Sequence, residues 1–183
     1  MKSWSSTLSD ISIRALTKFG ALTGEQLNWK PNSKTWSIAQ NLDHLIVVNE
    51  TYYPVLASLK TGTYKPPFVA KIGFMVSFLG KTVLKAVQPD RKKKMKTFPI
   101  WEPTTSNVNG DILKRFQDHQ NELIQKIEGA RELVEKRVVI SSPANKNIVY
   151  KLETAFDIIV SHEQRHLEQA KEILQLMKNN TSH

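Results

Sequence analysis

The sequence predicts an all-α protein, a four-helix bundle with a crossover connection between its second and third helices. Three observations carry that expectation. Apolar residues recur at intervals of three and four in four long segments, near residues 6–22, 37–60, 111–128 and 152–177. Amphipathic helices bury such stripes only against one another. The links after the first and third segments are short enough for antiparallel neighbours, whereas about fifty residues separate the second from the third and permit a crossover. At 183 residues, with 40% hydrophobic and 23% charged content, the chain suits one soluble domain spanning 1–183.

Each element has its own justification. Leu8, Ile11, Leu16 and Phe19 space the first helix, and Gly24 lies just past its expected end. A polar connection with Pro31 follows, from Leu27 to Thr35. Ser37 and Gln40 then form a capping box that opens the second helix, whose inward face is Leu42, Leu45, Val48 (or Val47), Tyr52, Leu56 and Leu59. The connection at about 61–110 is punctuated by prolines and glycines. Phe68 to Val87 reads as one helix, or as two short ones broken near Gly73 and Gly80. This apolar segment between Lys71 and Lys81 is expected to cap the bundle or line a homodimer contact, in preference to lying in a membrane interface. The third helix is capped around Asn109-Gly110-Asp111 and carries Ile112, Phe116, His119, Leu123 and Ile127 on one stripe. Arg137 to Ile140 reads as an extended link, not a sheet. The fourth helix has an inward face of Leu152, Ala155, Ile159, His162, His166, Gln169, Ile173 and Leu176, widened by Phe156, Val160, Leu167, Ala170 and Leu174.

Composition removes several chemistries. Cysteine is absent, so there is no disulfide, no thiolate ligand and no cysteine nucleophile. No window resembles a transmembrane segment, and Met1 to Ser6 shows no apolar signal region, which makes the cytoplasm the expected location. The net charge of +9 attracts anions, and its densest block, Arg91 to Lys96, reads as a solvated loop. No zinc finger, RNA-recognition signature or aromatic platform accompanies it, so a nucleic-acid partner is not expected.

The chemistry concentrates in Ser161-His162-Glu163-Gln164-Arg165-His166. Histidines four apart on a helix share a face and can reach one metal ion. A third ligand must come from elsewhere, and His44 is the best candidate, although alone it reads as a hydrogen-bonded core residue. His119 reads as a partly exposed residue at the edge of its stripe, outside the ligand set.

Pro31, the run Trp36 to Leu45, the segments Lys96 to Pro99 and Glu102-Pro103, and the run His162 to Ala170 together resemble the DinB/YfiT-like superfamily, in the same order and spacing. The resemblance spans about Leu8 to Met177. It implies a four-helix bundle with a crossover, and one divalent metal ion held by His44, His162 and His166. It also implies metal-dependent chemistry, such as S-transfer from bacillithiol, mycothiol or glutathione. No general base is shared across that superfamily, and none is carried over.

Three neutral imidazoles leave a divalent ion its full charge and an open position, whereas a closed structural site normally has four protein ligands. Zinc or nickel suits imidazole donors best. The expected function is therefore a metal-dependent thiol S-transferase acting on a small, anionic or thiol-linked electrophile, with an external low-molecular-weight thiol supplying the sulfur that the chain lacks. A metal-dependent hydrolase, or a non-catalytic metal-binding or dimerising bundle, are the alternatives.

Overall fold

The computed structural model describes residues 3–90, 101–103, 107–109 and 111–180. The basic block at 91–96 and the segment Lys96 to Pro99 lie outside the described residues. The fold is mostly helical. Its elements are α1 (Trp4–Phe19), α2 (Gly24–Asn28), α3 (Ile38–Glu50), α4 (Tyr53–Lys60), a 3-10 turn (Phe68–Lys71), α5 (Gly73–Val87), α6 (Ile112–Glu128), α7 (Arg131–Glu135), β1 (Val139–Ser142), β2 (Asn145–Lys151) and α8 (Leu152–Asn180). No helix among the described residues is long and apolar enough to cross a membrane.

The packing follows the stripes. α1 lies against α6 and α8, and α3 lies against the same two helices, so these four enclose the main core. Leu8, Ile11, Leu42, Leu45, Phe116, Leu123, Phe156 and Leu167 are all buried there. Trp4 fixes the start of α1 against α8 by donating from Nε1 to Asp157 Oδ1 at 2.9 Å and by an edge-to-face contact with Phe156. The capping box of α3 is present as read: Ser37 Oγ accepts from the Gln40 amide, and the Gln40 side chain accepts from the Ser37 amide.

Several expectations need correction. The second helix is not continuous over 37–60. It breaks at Thr51–Tyr52 into α3 and α4, because Pro54 has no N–H to give to the carbonyl four residues earlier and its ring crowds that group. The first helix ends at Phe19, and Thr23 caps the short α2 with a second capping box, so Gly24 begins a helix instead of closing one. The 137–140 stretch is not a bare link: β1 pairs antiparallel with β2, with Ile140 opposite Tyr150. Arg137 takes a positive φ of 54° at the entry to this hairpin, turning the chain out of α7.

α5 runs unbroken through Gly80, the only interruption in this region being the 3-10 turn before Gly73. Its inner face packs on β2 and α8, and a Cβ at Gly80 would come within 3.0 Å of the Tyr150 Cβ. Glycine permits that close approach. On α8, Leu176 is 47% exposed and Met177 is buried in its place. At 100° per residue Met177 is in phase with Ile159, whereas Leu176 is about 100° away.

Candidate metal centre

The expected site residues meet. His44 comes from α3, and His162 and His166 from successive turns of α8, which packs directly against α3. One ring nitrogen from each lies within 4.8 Å of the others. The ring centroids are 4.6 Å apart for His44 and His166, 4.5 Å for His162 and His166, and 5.1 Å for His44 and His162. His119 is not part of this cluster.

Hydrogen bonds select the tautomers. Asn41 Nδ2 donates to Ser37 O at 2.8 Å, which fixes the amide with Oδ1 pointing the other way. That oxygen accepts from His166 Nδ1–H at 2.8 Å. His44 Nδ1–H donates to the Trp101 carbonyl at 2.7 Å. Both rings therefore have their protons on Nδ1, leaving lone pairs on Nε2. His44 Nε2 lies 3.4 Å from His162 Nε2. A tetrahedral ion with nitrogen bonds of roughly 2.0–2.1 Å needs ligand atoms about 3.3–3.4 Å apart, the spacing of this pair, and the chemistry of three clustered imidazoles suits a divalent cation.

Burial keeps these rings neutral. It lowers the His44 pKa to about 4, against smaller opposing effects from the Trp101 carbonyl and Asp43. It lowers His162 to about 3, helped by His44 and Arg165, and it drives His166 well below its ordinary value. Neutral imidazole is the form that binds metal. Trp36 covers the cluster from one side, with its ring centroid 4.9 Å from that of His44 and stacked at 5.8 Å on His166.

The cluster opens on a cavity of about 760 Å³. Val48, Val83, Val87, Ile148 and Ile158 supply apolar walls, while Arg165 and Lys34 supply positive charge. Arg165 is held at the α5–α8 seam by donating from Nη1 to the Ala86 carbonyl at 2.9 Å. Tyr52 and Tyr150 line the same cavity and share a hydrogen bond of 2.8 Å between their hydroxyls. Burial raises both phenol pKa values, so both remain protonated at neutral pH.

His119 departs from expectation in one respect: it is 5% exposed, not at a solvent edge. Asn49 and Tyr53 close over it, with Asn49 Nδ2 donating to Nε2 at 3.2 Å and the Tyr53 hydroxyl at 3.3 Å from Nδ1. The same Asn49 amide donates to Glu163 Oε1 at 2.7 Å, and Gln120 Nε2 donates to the other carboxyl oxygen at 2.5 Å. Burial pushes the Glu163 carboxyl up to about 7, against those two hydrogen bonds. Sequence reasoning missed Asn41, Trp101 and this network. Asn41 was accessible in principle, as a polar residue one turn before His44 on an otherwise apolar face. Trp101 contributes a backbone carbonyl, for which no side-chain signal exists.

A sequence model of the DinB superfamily matches residues 12–170, and the chain belongs to that superfamily. It is similar to YuaE of Bacillus subtilis (strain 168), an uncharacterized protein, with 26% identity over 174 residues, covering 92% of this chain and 95% of that one. No solved structure matches.

Proposed function

We propose that His44, His162 and His166 hold one divalent metal ion, zinc or nickel by donor type, and that the chain is a metal-dependent enzyme acting on a small anionic electrophile. The observation that carries this reading is the convergence of three neutral imidazoles beside a cavity large enough for a small molecule. Three protein donors, where a closed structural site has four, leave room for a co-substrate. α1, α3, α6 and α8 are read as a four-helix bundle with a crossover between α3 and α6, in a single domain, with α5 and Trp101 to Pro103 contributing to one wall of the cavity.

A divalent ion here supplies Lewis acidity, favouring deprotonation of a thiol or water and polarising an oxygen of the electrophile. The protein's own groups do the rest. Arg165 and Lys34 bind an anionic group of the substrate. The Tyr52–Tyr150 pair offers a neutral hydroxyl that orients a polar atom, and the valine and isoleucine walls exclude water. Asn41 and the Trp101 carbonyl hold His166 and His44 in the metal-binding tautomer. A chain with no cysteine must receive any sulfur nucleophile from outside, which favours S-transfer from a low-molecular-weight thiol.

The test incubates metal-loaded protein with a panel of electrophiles, with and without bacillithiol, mycothiol and glutathione, and follows products by mass. Thiol-dependent turnover that chelation abolishes supports the transferase. Turnover equally fast without thiol supports a hydrolase. Stability lost on chelation, with no turnover in any condition, favours a non-catalytic bundle.

A further inference from the structure

The described residues carry one surface that the metal centre does not use. Phe68, Phe74 and Phe78 are 76%, 74% and 63% exposed, on the 3-10 turn and the first two turns of α5. Helical geometry puts Phe74 and Phe78 on the same stripe as Lys81 and Lys85, all within about 60° of arc. α5 is therefore two-faced. Val76 and Gly80 pack inward on β2 and α8, while phenylalanines and then lysines point outward.

The segments that form this stripe and the hairpin under it carry lysines and no carboxylate. From Thr51 to Pro89 the sequence holds Lys60, Lys65, Lys71, Lys81 and Lys85 and no aspartate or glutamate. The hairpin beneath α5 adds Lys146 and Lys151, again with no carboxylate in either strand. A second copy of the chain is a poor occupant of such a face, because a two-fold contact would set these lysines against themselves in a protein of charge +9. An anionic lipid surface matches both features, accepting aromatic side chains at the headgroup–acyl boundary and lysines among the headgroups.

We propose that the outer face of α5, with Phe68, is a docking surface for anionic membranes, on which the protein lies peripherally. The proposal is independent of the metal reading. It is tested on the full chain by co-sedimentation with vesicles of phosphatidylcholine alone and of phosphatidylcholine with 30% phosphatidylglycerol, at 50 and 300 mM NaCl. The variants are F74S/F78S and K81Q/K85Q, all four sites being exposed and outside the core.

The parent is expected to partition onto the anionic vesicles at low salt, and less so at high salt or on neutral vesicles. F74S/F78S should weaken partitioning at least tenfold. K81Q/K85Q should weaken it by a similar factor, since each lysine near an anionic surface is worth about fivefold. Absence of binding to anionic vesicles at 50 mM NaCl overturns the proposal. Equal binding by F74S/F78S and the parent also overturns it, by showing attraction through charge elsewhere, such as the 91–96 block. Analytical ultracentrifugation supplies a further check: a parent dimer that F74S/F78S converts to monomer assigns the face to a second copy instead.

Discussion

Replacing Asn41 tests how the site is assembled without touching a proposed ligand. Asn41 Oδ1 is the partner of His166 Nδ1–H, and its own orientation is fixed by the bond to Ser37 O. His166 is buried, so water has poor access to replace the lost acceptor. Asn41→Ala leaves an Nδ1–H unpaired at a cost of about 1–3 kcal/mol and frees the ring to adopt the wrong tautomer. Loss of an outer hydrogen-bond partner typically weakens metal affinity about 10–100-fold, equivalent to about 1.4–2.7 kcal/mol. The two figures agree in size. Asn41→Asp keeps the acceptor for His166 but loses the donor to Ser37 O and sets a carboxylate oxygen against that carbonyl, so its affinity should fall between those of Asn41→Ala and the parent. Competition against a chromophoric chelator at pH 7.5 measures both variants, with thermal melts of the chelated proteins to separate folding from binding. An Asn41→Ala affinity within twofold of the parent would refute the tautomer argument.

Three further outcomes follow from the same geometry. His119→Gln should retain full metal stoichiometry and cost only about 1–2 kcal/mol of stability through its bonds to Asn49 and Tyr53; a metal loss matching that of His166→Ala would make the site a closed four-histidine one. The chelated protein should lose stability as pH falls from about 6.5 towards 4. His44, His119 and His162 have folded pKa values lowered to about 4, about 4 and about 3, and His166 is lowered as well, so the unfolded chain takes up protons first. Glu163, raised to about 7, acts with the opposite sign and offsets only one of these protons, which leaves a slope of at most roughly 4 kcal/mol per pH unit. Urea melts at pH 7.5, 6 and 5 measure it, and a flat profile would contradict the burial of neutral histidines. Gly80→Ala should lower stability by up to about 2 kcal/mol in thermal melts, the overpacking of its Cβ on Tyr150 at 3.0 Å and Thr154 at 3.2 Å exceeding the roughly 1 kcal/mol that alanine gains in a helix; a stabilised variant would mean that α5 shifts freely on the hairpin.

The parts of the molecule legible from sequence are those that helical periodicity determines. Histidines at 162 and 166 share a face by geometry alone, and the pairing of Ser37 with Gln40 announces the start of the helix that presents His44. Features set by tertiary context were harder to read. Val139 to Ser142 is too short a run to declare a strand without its partner, and Pro143 obscures the turn. Glu163 is fully buried beside a proposed ligand, where pattern alone would place a carboxylate in solvent; only Asn49 of α3 and Gln120 of α6, converging from distant positions, make that burial tolerable. His119 is buried for the same reason, through Tyr53 and Asn49. The Trp101 carbonyl reaches His44 across 57 residues, a contact that no local pattern encodes. Leu176 shows the opposite effect: over that many turns, spacings of three and four drift out of phase with the buried face of the helix.

The central claim is that His44, His162 and His166 bind one metal ion. Elemental analysis of the purified parent beside the H44A/H162A/H166A variant, each verified as folded by circular dichroism, tests it most directly. The parent should carry about one divalent ion per chain after reconstitution and desalting, and the variant essentially none. Equal metal content in the two proteins would contradict the claim.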